Sequence, residues 1–251
     1  MTAGRSEVEI RERFLEAIEE RILVLDGAMG TAIQALDLGP EDFGGDSLAG
    51  CNEVLVRTCP DRIREIHRGY LHAGADCIET NTFGGTPFVL GEYDLAEAAE
   101  ELNEIAAALA RDEVDSFAGD GGARFVLGSM GPTTKTLTVT GGITFDEMRE
   151  QFRAQARGLI RGGADILILE TVQDTLNLKA GHLGILGAFE DLGVRLPVAL
   201  CCTIEPTGTM LAGQGVEAFY ASVEHIKPLF VGMNCATGPR FLTDHLRPLA
   251  E

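Results

Sequence analysis

Short apolar runs alternate with longer amphipathic stretches along most of this chain, and the two carry different periods. Ile10, Phe14 and Ile18 recur at helical spacing amid charge and predict a helix over Glu7 to Arg21. The same pattern predicts helices over Pro60 to Leu71, closed by Ala73-Gly74, and over about Leu95 to Ala110, Asp146 to Ile160, Thr175 to Phe189, Gly215 to His225 and Arg240 to Leu249. Between them lie runs of strand length: Ile22 to Leu25, Asp76 to Ile78, Arg124 to Leu127, Asp165 to Leu169, Pro197 to Thr203 and Leu229 to Met233. Their continuous apolar character reads as buried strands, and strands alternating with helices demand a parallel sheet with right-handed crossovers. Six such βα units begin at Ile22, Asp76, Arg124, Asp165, Val198 and Phe230.

Each strand ends in polar residues: Asp26, Glu79 and Asn81, Ser129, Glu170, Thr203, then Asn234 and Cys235. That edge is where a (β/α) barrel carries its chemistry, whereas an open dinucleotide-binding sheet would show a Gly-rich phosphate turn after its first strand. Asp26-Gly27-Ala28-Met29-Gly30 lacks that turn's spacing. The expected fold is therefore α/β, of the (β/α)8 TIM-barrel type, incomplete at about six units. Residues 1–20 form an N-terminal helix and residues 21–251 a barrel domain without its last βα units.

Several residues stand out chemically. Cys235 sits where a strand turns into a helix opened by Gly238-Pro239, a place that suits a nucleophile or metal ligand as well as a buried structural thiol. Asp26 is a site carboxylate or a helix cap, and Gly27 beside it permits close backbone approach. Asp37 to Pro60 has no clear period and is long for a loop, which points to an excursion over one end of the sheet. His67 and His72 read as core-edge or solvated residues. A weak repeat relates Ala73-Gly74-Ala75-Asp76 before Glu79-Thr80 to Gly162-Gly163-Ala164-Asp165 before Glu170-Thr171.

Composition narrows the partners. The chain has 251 residues and a formal net charge of −19, which argues against nucleic acid and anionic membrane surfaces. No apolar run approaches membrane-spanning length, and the start has no signal-like apolar region. The six cysteines are scattered in a chain too large to need stapling, so reduced thiols and a cytoplasmic location are expected.

Collinear blocks then carry a resemblance. They are Asp26-Gly27-Ala28-Met29-Gly30-Thr31, Gly74-Ala75-Asp76 with Glu79-Thr80-Asn81-Thr82-Phe83, Gly128-Ser129-Met130-Gly131-Pro132, Gly163-Ala164-Asp165 with Glu170-Thr171, and Asn234-Cys235 with Gly238-Pro239. Together they resemble the homocysteine S-methyltransferase family. Asn52-Glu53 and Asp174-Thr175-Leu176-Asn177 resemble most the homocysteine-binding module of cobalamin-dependent methionine synthases. The resemblance implies a zinc ion held by three cysteine thiolates, homocysteine bound through its sulfur, and methylcobalamin on a separate module as methyl donor. A zinc-bound thiol is deprotonated, so the metal would supply the nucleophile. The resemblance further implies that Cys235 is the first zinc ligand. Asp26 and Glu170 would anchor the substrate's amino group, with Gly27 alongside and the backbone near Ser129 holding its carboxylate.

The family's other two ligands form an adjacent cysteine pair in a Gly-Gly-Cys-Cys turn, expected beyond Glu251. Cys201-Cys202 precedes Cys235, and consecutive strand residues face opposite ways, so that pair is expected to be structural. The chain alone is accordingly expected to bind zinc poorly, to lack methyl-transfer activity, and to expose strand edges near Ile22 and Phe230. The alternatives are a stand-alone homocysteine methyltransferase with a small sulfonium or betaine-like donor, a barrel lyase or aldolase using Glu79 and Glu170 as acid and base, or an inactive fragment.

Overall fold

The computed structural model describes residues 6–117 and 121–250, so residues 1–5 of the expected N-terminal segment, and Glu251, lie outside the described residues. Five parallel strands, β1 (Cys77–Glu79), β2 (Phe125–Met130), β3 (Ile166–Val172), β4 (Val198–Cys202) and β5 (Val231–Met233), lie side by side in chain order. They form a curled half-barrel of the incomplete (β/α)8 type. Its helices are α1 (Glu7–Glu20), α2 (Met29–Gln34), α3 (Pro40–Phe43), α4 (Leu55–Thr58), α5 (Pro60–Ala73), α6 (Pro87–Leu90), α7 (Ala99–Ser116), α8 (Phe145–Gly162), α9 (Thr175–Leu192), α10 (Val216–Val223) and α11 (Pro239–Ala250).

The two halves of the weak repeat have one construction. Gly74 and Gly163 adopt left-handed φ of 102° and 96°, ending α5 and α8 in the conformation that glycine accepts without a Cβ clash. The next N–H, of Ala75 or Ala164, returns to the carbonyl of Tyr70 or Leu159. Asp76 and Asp165, both buried, then accept the backbone N–H of the neighbouring strand, from Val24 and Val126 respectively, each at 2.9 Å. Arg21 and Arg111 neutralise them. Each copy thus starts its strand from a charge-satisfied brace, and each strand delivers a Glu-Thr pair to its far end.

The helical layer is packed through glycines. A Cβ at Gly158 or Gly162 of α8 would meet the carbonyl oxygens of Glu100 or Glu104 on α7, and one at Gly184 of α9 would meet that of Arg149 on α8. Across the sheet's curl, Phe14 of α1 meets Phe125 edge-on and stacks on Phe230, tying the start of β2 to the start of β5.

Three expectations change. The first strand, Ile22 to Leu25, contracts to a single bridge between Leu25 and Cys77. Its Ile22 and Val24 are 87% and 52% exposed, because β1 pairs with it on one side and no described strand covers the other. β5 is likewise half-buried at the opposite edge rather than a buried core strand. The stretch 37–60 is not irregular: it is a series of single turns, α3, α4 and 3-10 turns at Asp46–Leu48 and Asn52–Val54. Each is too short to show a period, and α3 is set locally by Pro40 at its first turn and by Asp42 accepting the Gly39 N–H.

Candidate active site at the C-terminal edge of the sheet

The turn after the first strand places Asp26 against β1, not on a helix. Its Oδ2 accepts the Glu79 N–H at 3.1 Å, while α2 begins without a side-chain cap, so the capping reading does not hold. Its Oδ1 is buried without a partner. Gly27 is explained by Tyr70, whose hydroxyl and ring would stand 2.7–3.1 Å from any Cβ there.

On the neighbouring strands, Ser129 of β2 donates its hydroxyl to Glu170 Oε1 of β3 at 2.5 Å, and Asn234 donates to Glu170 Oε2 at 3.0 Å. The Ser129 backbone is already committed: its N–H goes to Thr80 Oγ1 at 3.0 Å and its carbonyl accepts from Thr82 Oγ1 and Gln155. What Ser129 offers at this edge is its hydroxyl, used to orient Glu170.

Asp26, Glu79 and Glu170 converge here, and their electrostatics follow from burial. Burial pushes Asp26 up to about 7 against the backbone N–H groups of Glu79 and of Asp26 itself, with Glu170 adding repulsion. Glu79 rises well above the usual carboxylate range through burial and then the charges of Glu170 and Asp26. Glu170 is raised by burial despite the hydrogen bonds from Ser129 and Asn234 that favour its charged form. Three carboxylates that cannot all ionise together make a site suited to a cation. The one chemical role that the sequence suggests for Glu79 is acid-base work. The Glu-Thr repeat was the signal that pairs it with Glu170.

The site continues to Cys235. β3 changes register against β4 between Leu169 and Val172, and Thr171 in that bulge has φ 55°, rare for a β-branched residue. Asn234 spans the bulge to Glu170 and Thr171, and the next residue, Cys235, is exposed at φ 60° with Sγ 3.7 Å from Thr171 Oγ1. The excursion over residues 37–60 reaches the same edge: Asn81 donates to the Asn52 carbonyl and Gly84 N–H to Glu53 Oε1, each at 2.7 Å. Asp174 caps α9 through the Leu176 N–H and holds Thr138, while Asn177 holds Leu137 and Lys135. A small cleft between Pro132, Thr136, Val172 and Asn177 opens beside Glu170.

The sequence profile of the homocysteine S-methyltransferase family matches residues 23–251, nearly everything after α1. This chain belongs to the homocysteine S-methyltransferase family. Among relatives of this homocysteine S-methyltransferase chain, the methionine synthase of Mycobacterium tuberculosis (strain ATCC 25618 / H37Rv) is 44% identical over 237 residues, covering 94% of this chain and 20% of that protein. The methionine synthase of Mycobacterium leprae (strain TN) is also 44% identical, with 19% of its length covered. The chain therefore spans about a fifth of the length of these relatives. In fold it is similar to the metallated form of the homocysteine methyltransferase MmuM from Escherichia coli, with a TM-score of 0.73 at 23% identity, covering 89% of this chain and 78% of that one.

The family implies zinc, and the donors here do not complete a zinc site. Among the described residues no group of three His, Cys, Asp or Glu could hold a metal ion, and Cys235 is the one exposed thiol. Cys201 and Cys202 are buried on adjacent positions of β4, and burial pushes both thiols up, Cys202 to about 12. Such thiols behave as small apolar side chains. His67 is no ligand either: it is fully buried on α5 with both ring nitrogens unpartnered.

Proposed function

We propose that this chain is the homocysteine-binding part of a methionine-forming methyltransferase. Its homocysteine sulfur accepts a methyl group that methylcobalamin carries on a separate module. The family and the 44% identity to methionine synthases support the reaction class. The observation that carries the site is the convergence of Asp26, Glu79 and Glu170, with Ser129 and Asn234 holding Glu170, whose strand β3 is separated by β4 alone from the strand that delivers Cys235.

Chemically, the carboxylates take the substrate's α-ammonium as charge-assisted hydrogen-bond acceptors. Anchoring the ammonium between β1 and β3 points the thiol-bearing arm along the edge toward Cys235, which is this chain's candidate contribution to a thiolate-bound zinc. A zinc ion held there would lower the thiol's pKa, and it needs two donors more than this edge presents. Methyl transfer would make a carbon–sulfur bond while the donor's bond to the same carbon breaks and its electron pair stays with the donor, the thiol proton going to solvent, with no acyl or phosphoryl chemistry. A cytoplasmic setting fits the six unpaired cysteines.

The raised Glu79 and Glu170 carboxylates would also suit acid-base work in a lyase. Hydrogen bonds from Ser129 and Asn234 to both oxygens of Glu170 favour its charged, cation-accepting form and speak for anchoring instead. The test is equilibrium binding of L-homocysteine. Asp26→Asn and Glu170→Gln are each expected to weaken it by roughly 10- to 150-fold, the equivalent of about 1.5–3 kcal/mol for a hydrogen bond to a charged group. Unchanged affinity in both variants removes these residues from the site and with them the anchoring role.

A further inference from the structure

The carboxylate group has a property that anchoring alone does not require. Asp26 Oδ1 is buried with no partner, Asp26 Oδ2 takes the Glu79 N–H at 3.1 Å, and no described residue donates to the Glu79 carboxylate, so two adjoining acids of this edge keep acceptor positions without a donor. The ionisable groups that neighbour these two carboxylates are acids on every element around them. Asp26 comes from the turn after the Leu25 bridge, Glu79 and the thiol of Cys77 from β1, Glu170 from β3, and the thiol of Cys201 from β4. The charge of Glu170 acts on both Asp26 and Glu79, and that of Asp26 acts on Glu79 as well. Three carboxylates in one partly buried volume cannot ionise together without a cation, and a shared proton is the cheapest one at hand.

We propose that an α-amino acid binding at this edge exchanges its ammonium for a proton held between Asp26 and Glu79, making Glu79 an unassigned third member of the amine site. The inference rests on the functional reading above and adds Glu79 and the proton to it. The balance is simple: a carboxylic O–H bond breaks, its proton goes to buffer, and the ammonium keeps its own three protons while hydrogen-bonding the new carboxylate. Asp26, pushed up to about 7, titrates near neutrality and contributes to the release there. As pH rises past that value Asp26 holds less of the proton, and its share of the exchange falls.

L-methionine is the probe, because it has the ammonium and carboxylate but no titrating thiol. Its binding enthalpy to the full chain is measured by calorimetry at about pH 7 in buffers of different ionisation enthalpy, where the slope counts protons released. The expected slope is on the order of half to one proton per molecule bound at about pH 7, falling as pH rises toward about 8. 4-(Methylthio)butanoate, which lacks the ammonium, is expected to release none. Glu79→Gln and Asp26→Asn are each expected to lose at least half of the release, since each removes one of the two carboxylates that share the proton. Binding of L-methionine with a buffer-independent enthalpy overturns the exchange, as does release by the des-amino analogue or release unchanged in both variants. Failure of both L-methionine and L-homocysteine to bind overturns the functional reading, and this one with it.

Discussion

Asn234 grips Thr171 at two points, its Oδ1 accepting the Thr171 N–H at 3.2 Å and its Nδ2 donating to Thr171 Oγ1 at 3.0 Å. Thr171 has φ 55°, a conformation that costs a β-branched residue on the order of 1–3 kcal/mol and persists only where surroundings hold it. The same amide donates to Glu170, so one side chain stabilises the strain and orients the site carboxylate. Asn234→Ala is expected to cost about 2–4 kcal/mol, since three hydrogen bonds go and partly buried partners are left unpaired. Denaturant unfolding checks this; a loss under about 0.5 kcal/mol would show that Thr171 holds its conformation unaided.

The carboxylate group predicts a pH dependence of stability. Asp26 has a folded-state value of about 7 against an ordinary 3.8, so between those limits the native state binds more protons than the unfolded one. Stability from this group is therefore full in acid, falls as pH rises toward about 7, and is flat above. Asp26→Asn is expected to be more stable than the wild type at about pH 8, by on the order of 1 kcal/mol or more, with the difference vanishing near pH 4. Paired unfolding curves across that range provide the measurement, and a difference that grows toward acid would contradict it.

His67 predicts the opposite slope. Burial lowers it to about 4 from 6.5, although Glu113 nearby favours its charged form. The native state thus binds fewer protons than the unfolded state between those values, and stability drops as pH falls through that window, by up to about 3 kcal/mol. His67→Leu removes a ring with two unpartnered buried nitrogens and is expected to be neutral or stabilising at neutral pH, with a flatter acid limb. An unchanged acid limb in thermal unfolding would assign the sensitivity elsewhere.

Gly158 sets two effects against each other. Alanine gains about 1 kcal/mol of helix propensity, but its Cβ would lie 2.3 Å from the Glu100 carbonyl oxygen and 2.8 Å from Asn103 Cβ on α7. Backbone cannot yield as a flexible side chain does, so the overpacking penalty of about 1–3 kcal/mol or more wins. Gly158→Ala is expected to be destabilising, whereas Gly193→Ala, which meets nothing within 4 Å but sits at φ 65°, is expected to lose only the smaller cost of a left-handed alanine. Comparing the two by denaturant unfolding tests whether the close approach dominates.

Much of the site was legible in the chain because its signals are local. Strand and helix periods put Asp26, Glu79, Ser129, Glu170, Asn234 and Cys235 at strand tips, and the glycines at 74 and 163 ended their helices through a backbone conformation that needs no partner. Helix ends were read within a few residues for α5, α8 and α9 for the same reason. Tertiary structure alone decided which tips meet. Asn234 reaches Thr171 across 63 residues of sequence, Asp26 turns to the Glu79 N–H instead of a helix, and the Ser129 backbone is consumed by Thr80. It also decided that Ile22 to Leu25 makes a single bridge, since a strand's extent depends on the neighbours that satisfy its backbone and not on its own apolar run. The raised carboxylates belong to the same class: desolvation and repulsion act through space, and no spacing along the chain encodes a distance between strands that side-chain packing sets.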